Sequence, residues 1–193
     1  HTSSRRQRQM CIRDRDITAD RTISSSSDGD QYNIKTNNDI DVIVTNNSTL
    51  ERNQKIFNVS AASLTGSSIT IHLGSSVIAE TNSIFSNGAE LTITNTGTIE
   101  ATNSKAINVS NSDGVSITNN NNGVIKSNNN TILGDAGTGA DNVTIDNSGE
   151  IYTTATGTES SAIVFANNDT GNTITNNSGG EIYSSGSEST IVL

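Results

Sequence analysis

Aliphatic and polar residues alternate along this chain in short runs, and each run closes on Asn, Gly and Ile at similar offsets. Leu91, Ile93, Asn95, Gly97 and Ile99 make one such phrase; Val115, Ile117, Asn119, Gly123 and Ile125 make the next. The phrase returns as Val143, Ile145, Asn147, Gly149 and Ile151, and again as Ile174, Asn176, Gly179 and Ile182. Alternation with a period of two is the mark of half-buried strands, and no helical period competes with it. The central Ile advances by 24, 28 and 29 residues between copies. Looser copies at Val42-Ile43-Val44 and Ile69-Thr70-Ile71 extend the series upstream, read with steps of 27 and 22 into the strict ones. Strand-built repeats of this length mark a solenoid in which each turn covers the next.

Each repeat resolves into three strands. The first carries the inward pair ending in Ile93, Ile117, Ile145 or Ile174, followed by an inward Asn at the bend. Stacked in successive turns, Asn95, Asn119, Asn147 and Asn176 are expected to form an amide ladder, each side chain satisfying the next. Gly97, Gly123, Gly149 and Gly179 are expected to turn the corner through positive φ. A second strand centres on Ile99, Ile125, Ile151 and Ile182, and a third on Ile107, Ile132, Ile163 and Ile191. Polar loops of unequal length between the second and third strands account for the uneven period. A β-sandwich would lack this self-similarity. A propeller blade needs four strands and about 40 residues. The expected fold is therefore all-β, a right-handed single-stranded parallel β-helix of about six turns with three short strands each.

Composition changes this picture in two places. Hydrophobic residues at 31% with 3% aromatics would ordinarily mean disorder, but a narrow solenoid core needs few inward side chains per turn. No apolar run approaches a membrane span, so this segment is not expected to insert. The other change concerns charge. Arg5, Arg6, Arg8, Arg13 and Arg15 crowd residues 1–15 with Asp14 the one acid there; removing them leaves 6 basic against 19 acidic side chains over 16–193, a net of −13. That surface, poor in rings, excludes a nucleic-acid partner, which would demand positive charge and stacking.

Residues 1–15 share no pattern with the rest and hold the only Cys and Met, Cys11 and Met10. They resemble a translated sequencing-library adapter and are expected to stand outside the fold as a disordered, non-native segment. Residues 16–39 are expected to form an irregular N-terminal cover, and 40–193 the β-helix. Without Cys11 the chain has neither a disulfide nor a thiol nucleophile.

The repeat style of residues 16–193, with Val143, Ile145, Asn147, Gly149 and Ile151 answered by Ala162, Ile163 and Phe165, resembles the passenger domains of bacterial autotransporters. These are pectin-lyase-like right-handed β-helices displayed on Gram-negative cell surfaces. The resemblance implies export by a signal peptide, an outer-membrane β-barrel following the passenger, and an extracellular location. Neither signal nor barrel is visible in these residues, so a fragment is expected, with an uncovered last turn exposing Ile191, Val192 and Leu193. Passengers of this type serve as adhesins, proteases or inert stalks, so the fold leaves function open.

The search for chemistry is sparse. Beyond residue 15 the basic residues are Arg21, Lys35, Arg52, Lys55, Lys105 and Lys126, with none after Lys126. Glu150 and Glu181 fall in equivalent slots of consecutive turns, about 5 Å apart, and are read as solvent-facing. His72, the one His beyond the N-terminal segment, has neither a second His nor a Cys to join it in a metal site or triad, and is read as a solvated strand residue. The loop Gly134–Asn142 carries Asp135 and Asp141 among glycines, but calcium sites of that kind need tandem copies, so no metal and no calcium dependence are expected. An ice- or carbohydrate-binding Asn/Thr face would need a T-x-T array on every turn, and a run of that spacing is read at Thr92, Thr94 and Thr96, so such a face is not the expected function. The expected function is a non-enzymatic, surface-displayed stalk or adhesin that meets glycan or protein ligands on host or environmental surfaces, with no catalytic, cofactor or metal residues. The alternative is part of a carbohydrate-active β-helix enzyme whose catalytic turns lie elsewhere.

Overall fold

The computed structural model describes residues 14–193 apart from 36–37, 46, 61–63, 89, 135–138 and 166–168. Every regular element among them is a short β-strand, and every strand pairs parallel with its equivalent one turn away. Three sheets result. The first has eight strands, from Asp14–Ile17 to Ile191–Val192; the second has seven, from Arg21–Ile23 to Thr173–Asn176; the third has seven, from Ser27–Asp28 to Glu181–Ser184. The chain visits them in fixed order, as in the turn Ile107–Asn108, Ser116–Asn119 and Val124–Ser127. This is the parallel β-helix, right-handed as crossovers between parallel strands are, with three strands per turn.

The core is a column between the sheets. On the strand Leu91–Asn95, residues Leu91, Ile93 and Asn95 are buried while Thr92 is exposed. Each inward residue lands on its counterpart above and below, because parallel pairing in register repeats the same face every turn. Thus Ile69, Ile93, Ile117, Ile145 and Ile174 form one file, and Ile99, Ile125, Ile151 and Ile182 another. Ile174 and Ile182, in the last turn, are only partly buried, and Ile191 and Leu193 are 37% and 70% exposed.

Four expectations are corrected. Ile69, not Ile71, stands over Ile93, so the step into the strict copies is 24 residues and Ile71 stands over Asn95. A slip of two residues keeps the same face inward, so alternation alone could not separate the two registers. Residues 16–39 are not an irregular cover: they hold strands Arg21–Ile23, Ser27–Asp28 and Gln31–Ile34, in register with the turns that follow. Asp14 and Arg15 belong to the first strand rather than to a segment outside the fold. Arg15 pairs with Asp30 at 2.7 Å, and Asp14 lies 3.4 Å from the buried guanidinium of Arg52. Residues 1–13 lie outside the described residues. Finally, loop length varies at a second corner, between the first and second sheets, where residues 134–143 separate Ile132–Leu133 from Thr144–Asn147.

The corner glycines also differ from expectation. Positive φ is absent at Gly97, Gly123 and Gly149. Their need is space: a Cβ on Gly149 would lie 2.2 Å from the Gly123 carbonyl oxygen and 2.6 Å from that of Asn120. The last member of the series is Gly180 rather than Gly179, since its Cβ would meet Asn147 O at 2.6 Å, while Gly179 has φ +89° and open space. In the four-residue corners the residue before the tight glycine, Asn122 or Gly179, takes the left-handed conformation. Gly149→Ala is therefore expected to cost about 2 kcal/mol or more through overpacking against two backbone oxygens. Gly157→Ala, with nothing within 4 Å of its Cβ, should shift stability by less than about 0.5 kcal/mol. Urea melts of the two variants give the comparison.

Candidate functional site

The amide ladder is where inward polarity concentrates. Asn95, Asn119 and Asn147 are fully buried, and Asn176 is exposed at the end of the file. Nδ2 of Asn95 donates to Oδ1 of Asn119 at 2.9 Å, Asn119 to Asn147 at 2.8 Å, and Asn147 to Asn176 at 2.8 Å. Each Nδ2 also reaches its own corner: Gly97 O, Gly123 O, Gly149 O and Gly180 O. The first three reach a carbonyl of the next turn besides: Val124, Glu150 and Glu181. The structure thus brings the four Asn and the four Ile of the sequence-derived site into adjacent files. Their chemistry is satisfaction of buried groups, and it serves the fold.

Outward-facing chemistry collects on the third sheet. Its outer column runs Glu100, Lys126, Tyr152 and Tyr183, with Val124, Glu150 and Glu181 in the column beside it. Glu100 and Lys126 pair at 3.0 Å. The rings of Tyr152 and Tyr183 stack 4.7 Å apart and 5° from parallel, which is the strand spacing expressed in aromatic groups. Glu150 and Glu181 are register partners, both exposed, and their carboxylates lie close enough to Tyr183 to act on its phenol. Next to them, at the corner between the second and third sheets, lies an open groove of about 520 Å³ floored by Gly123, Gly149 and Gly179 and walled by Asn121, Glu150 and Glu181.

Burial, the neighbouring Tyr152 and the carboxylates of Glu150 and Glu181 all raise the Tyr183 phenol above its ordinary value of 10.0. Stability from this group is whole below the unfolded value and is lost as pH rises through the higher folded one. An absorbance titration of tyrosinate should show a late-ionising step that Tyr183→Phe removes. Glu150→Gln should bring it earlier; an unchanged curve would remove the carboxylate contribution. Glu159 is held below the usual carboxylate range by Asn129 and by Lys105, which lies 3.5 Å away. Lys55 is lowered by burial and sits 3.4 Å over the Phe85 ring.

The remaining candidates separate. His72 is exposed, with Nδ1 3.4 Å from the Thr45 hydroxyl. Among the described residues no group of three or more His, Cys, Asp or Glu is placed to hold a metal. Asp135 lies outside the described residues. Asp141 accepts from the backbone N–H and hydroxyl of Thr170, and Asp169 accepts from the Ala140 N–H. No helix among the described residues is long and apolar enough to cross a membrane.

Two features escaped the sequence reading. Arg52 is 5% exposed in an inward position, where its guanidinium donates to Gln31 at 2.9 Å. The break in the aliphatic alternation of Thr49-Leu50-Glu51-Arg52 was its one signal. The Tyr152–Tyr183 stack was legible from the equivalent Glu-Ile-Tyr triplets at 150–152 and 181–183, once those were read for their outward residue. No known protein family, curated protein or solved structure matches this chain.

Proposed function

We propose that this chain is a stalk or adhesin segment of an autotransporter-like protein displayed outside a Gram-negative cell, and that it is not an enzyme. The observation behind the reading is the unbroken register of all three sheets. Each turn repeats the pairing of the one before, so seven strands of the second sheet extend about 29 Å at about 4.8 Å per turn. Such a rod transmits position without a hinge and carries polar outer faces to a distance from its anchor.

The test is to fuse the chain between an export signal and an outer-membrane β-barrel and measure surface exposure and binding to glycan- and protein-coated plates. Protease-accessible display, with binding above that of the barrel alone, is the expected result. Retention inside the cell, or display without added binding to any coated surface and without added reach, would overturn it. The third-sheet groove favours a second reading, a carbohydrate-active surface, because it sets Glu150 and Glu181 beside a tyrosine stack and near Lys126. Release of new reducing ends or unsaturated sugars from polysaccharide by the purified chain would move the assignment to that reading.

A further inference from the structure

The outer face of the second sheet has a composition unlike the other two. Over its five strands from Ser67–Ile71 to Thr173–Asn176, one outward column reads Ser68, Thr92, Ser116, Thr144 and Thr173. The column beside it reads Thr70, Thr94, Thr118, Asp146 and Thr175. Nine of these ten positions are Ser or Thr: the T-x-T spacing read in the sequence at Thr92, Thr94 and Thr96 recurs at Thr173 and Thr175, Ser-x-Thr takes its place at Ser68–Thr70 and Ser116–Thr118, and Thr144 with Asp146 is the one break. At the same five turns, the outward positions of the third sheet hold only two, Ser76 and Thr98; the others include Ile78, Lys126, Tyr152 and Glu181. Strand propensity for Thr acts on every sheet alike, so it does not explain a bias confined to one face. Among the described residues, none of the seven threonine hydroxyls is engaged by another side chain or by the backbone.

We infer that this face binds the surface of crystalline water. The array has two repeats: about 4.8 Å between strands and about 6.7 Å between residues i and i+2 along a strand. In a tetrahedral water lattice, O···O links of about 2.75 Å put second-neighbour oxygens about 4.5 Å apart and give an axial repeat of about 7.3 Å. Both spacings agree to within about a tenth. Over the four intervals between five strands the shorter mismatch accumulates to about 1.2 Å, less than half a hydrogen-bond length. Threonine suits the task because its β-branched side chain is held at χ1, so ordering the array costs little entropy. The Asn file lies directly inside this sheet, and side-chain ladders of that kind oppose the twist of stacked strands.

Other occupants fit less well. A protein partner is anchored by aromatic and Arg side chains, and these columns have neither. A soluble sugar enters a concave site, and this is an open face. Charged polymers find only Asp146 in the array. The inference goes beyond the stalk or adhesin reading and does not depend on it, since the isolated chain suffices for the test.

The experiment grows an ice front slowly through a solution of the fluorescently labelled full chain and measures the protein taken into the ice. Wild type should enter the ice. Thr92→Tyr with Thr144→Tyr should reduce uptake by about tenfold or more, because a bulge that lifts the face off the lattice ends simultaneous engagement of all turns. Thr92→Lys alone, a soluble change at an exposed position, should also reduce uptake, and Thr98→Tyr on the third sheet should leave it unchanged. Circular dichroism melts establish that each variant is folded. Exclusion of the wild type from ice overturns the inference, as does full uptake of folded Thr92 variants. Binding to microcrystalline cellulose that the same variants abolish, with no uptake into ice, would overturn it in favour of a solid polysaccharide.

Discussion

Ile145→Asp is expected to lower stability by at least about 3 kcal/mol, while Thr144→Asp, one residue away, should change it by less than about 0.5 kcal/mol. Ile145 has no exposed surface and stacks in register between Ile117 and Ile174. A carboxylate there has no cation and no donor within the aliphatic file, so it is buried unpaired or protonated at a cost. Thr144 points the other way, into solvent. The contrast tests the period of two directly. Because each turn contacts only its neighbours, the damage should also be local: hydrogen exchange should quicken from residue 144 to the C-terminus and leave Leu91–Asn95 protected. Equal urea midpoints for the two variants would mean that the inward file is misassigned.

Asn119→Ala is the second large effect, expected at about 2–4 kcal/mol, against less than about 1 kcal/mol for Asn176→Ala. The same residue type has the same role at both positions, but Asn119 is buried in mid-ladder and Asn176 is exposed. Removing the Asn119 amide strips Gly123 O and Glu150 O of their side-chain donor, ends the bond to Asn147, and leaves a cavity. Asn95 keeps weaker contacts to Gly97 O and Val124 O, which is why the loss is not greater. Asn119→Asp should be worse than Ala, since a carboxylate has no N–H to give and would face three acceptors. Denaturant melts at neutral pH rank the variants; a small effect for Asn119→Ala would mean that the ladder decorates the corner without holding it.

Much of this architecture was legible because a parallel β-helix writes its register into the chain. Equivalent positions recur at a fixed place in each turn, so Ile93, Ile117 and Ile145, or Asn95, Asn119 and Asn147, announce their stacking before any coordinates are seen. The first turn was harder to read. Arg21–Ile23 and Ser27–Asp28 are too short to show alternation, and only pairing with the next turn identifies them as strands. Arg15 and Asp14 looked foreign by composition, yet the ion pairs to Asp30 and Arg52 join residues far apart in sequence, which no local pattern reports.

By itself, the sequence determined the inside of the molecule: the solenoid, three strands per turn, the aliphatic files and the amide ladder, all consequences of a repeated inward pattern. Tertiary structure decided the outside. Outward residues are free to vary, so Ser68, Ser116 and Thr144 look unrelated until pairing sets them in one column with Thr92. The same holds for Gly149, whose need for a bare Cα is set by carbonyl oxygens of the neighbouring turn. Inward positions repeat because the core permits few side chains, whereas a surface column exists only once neighbouring strands are aligned. For that reason the fold could be read along the chain, and its outer faces only across it.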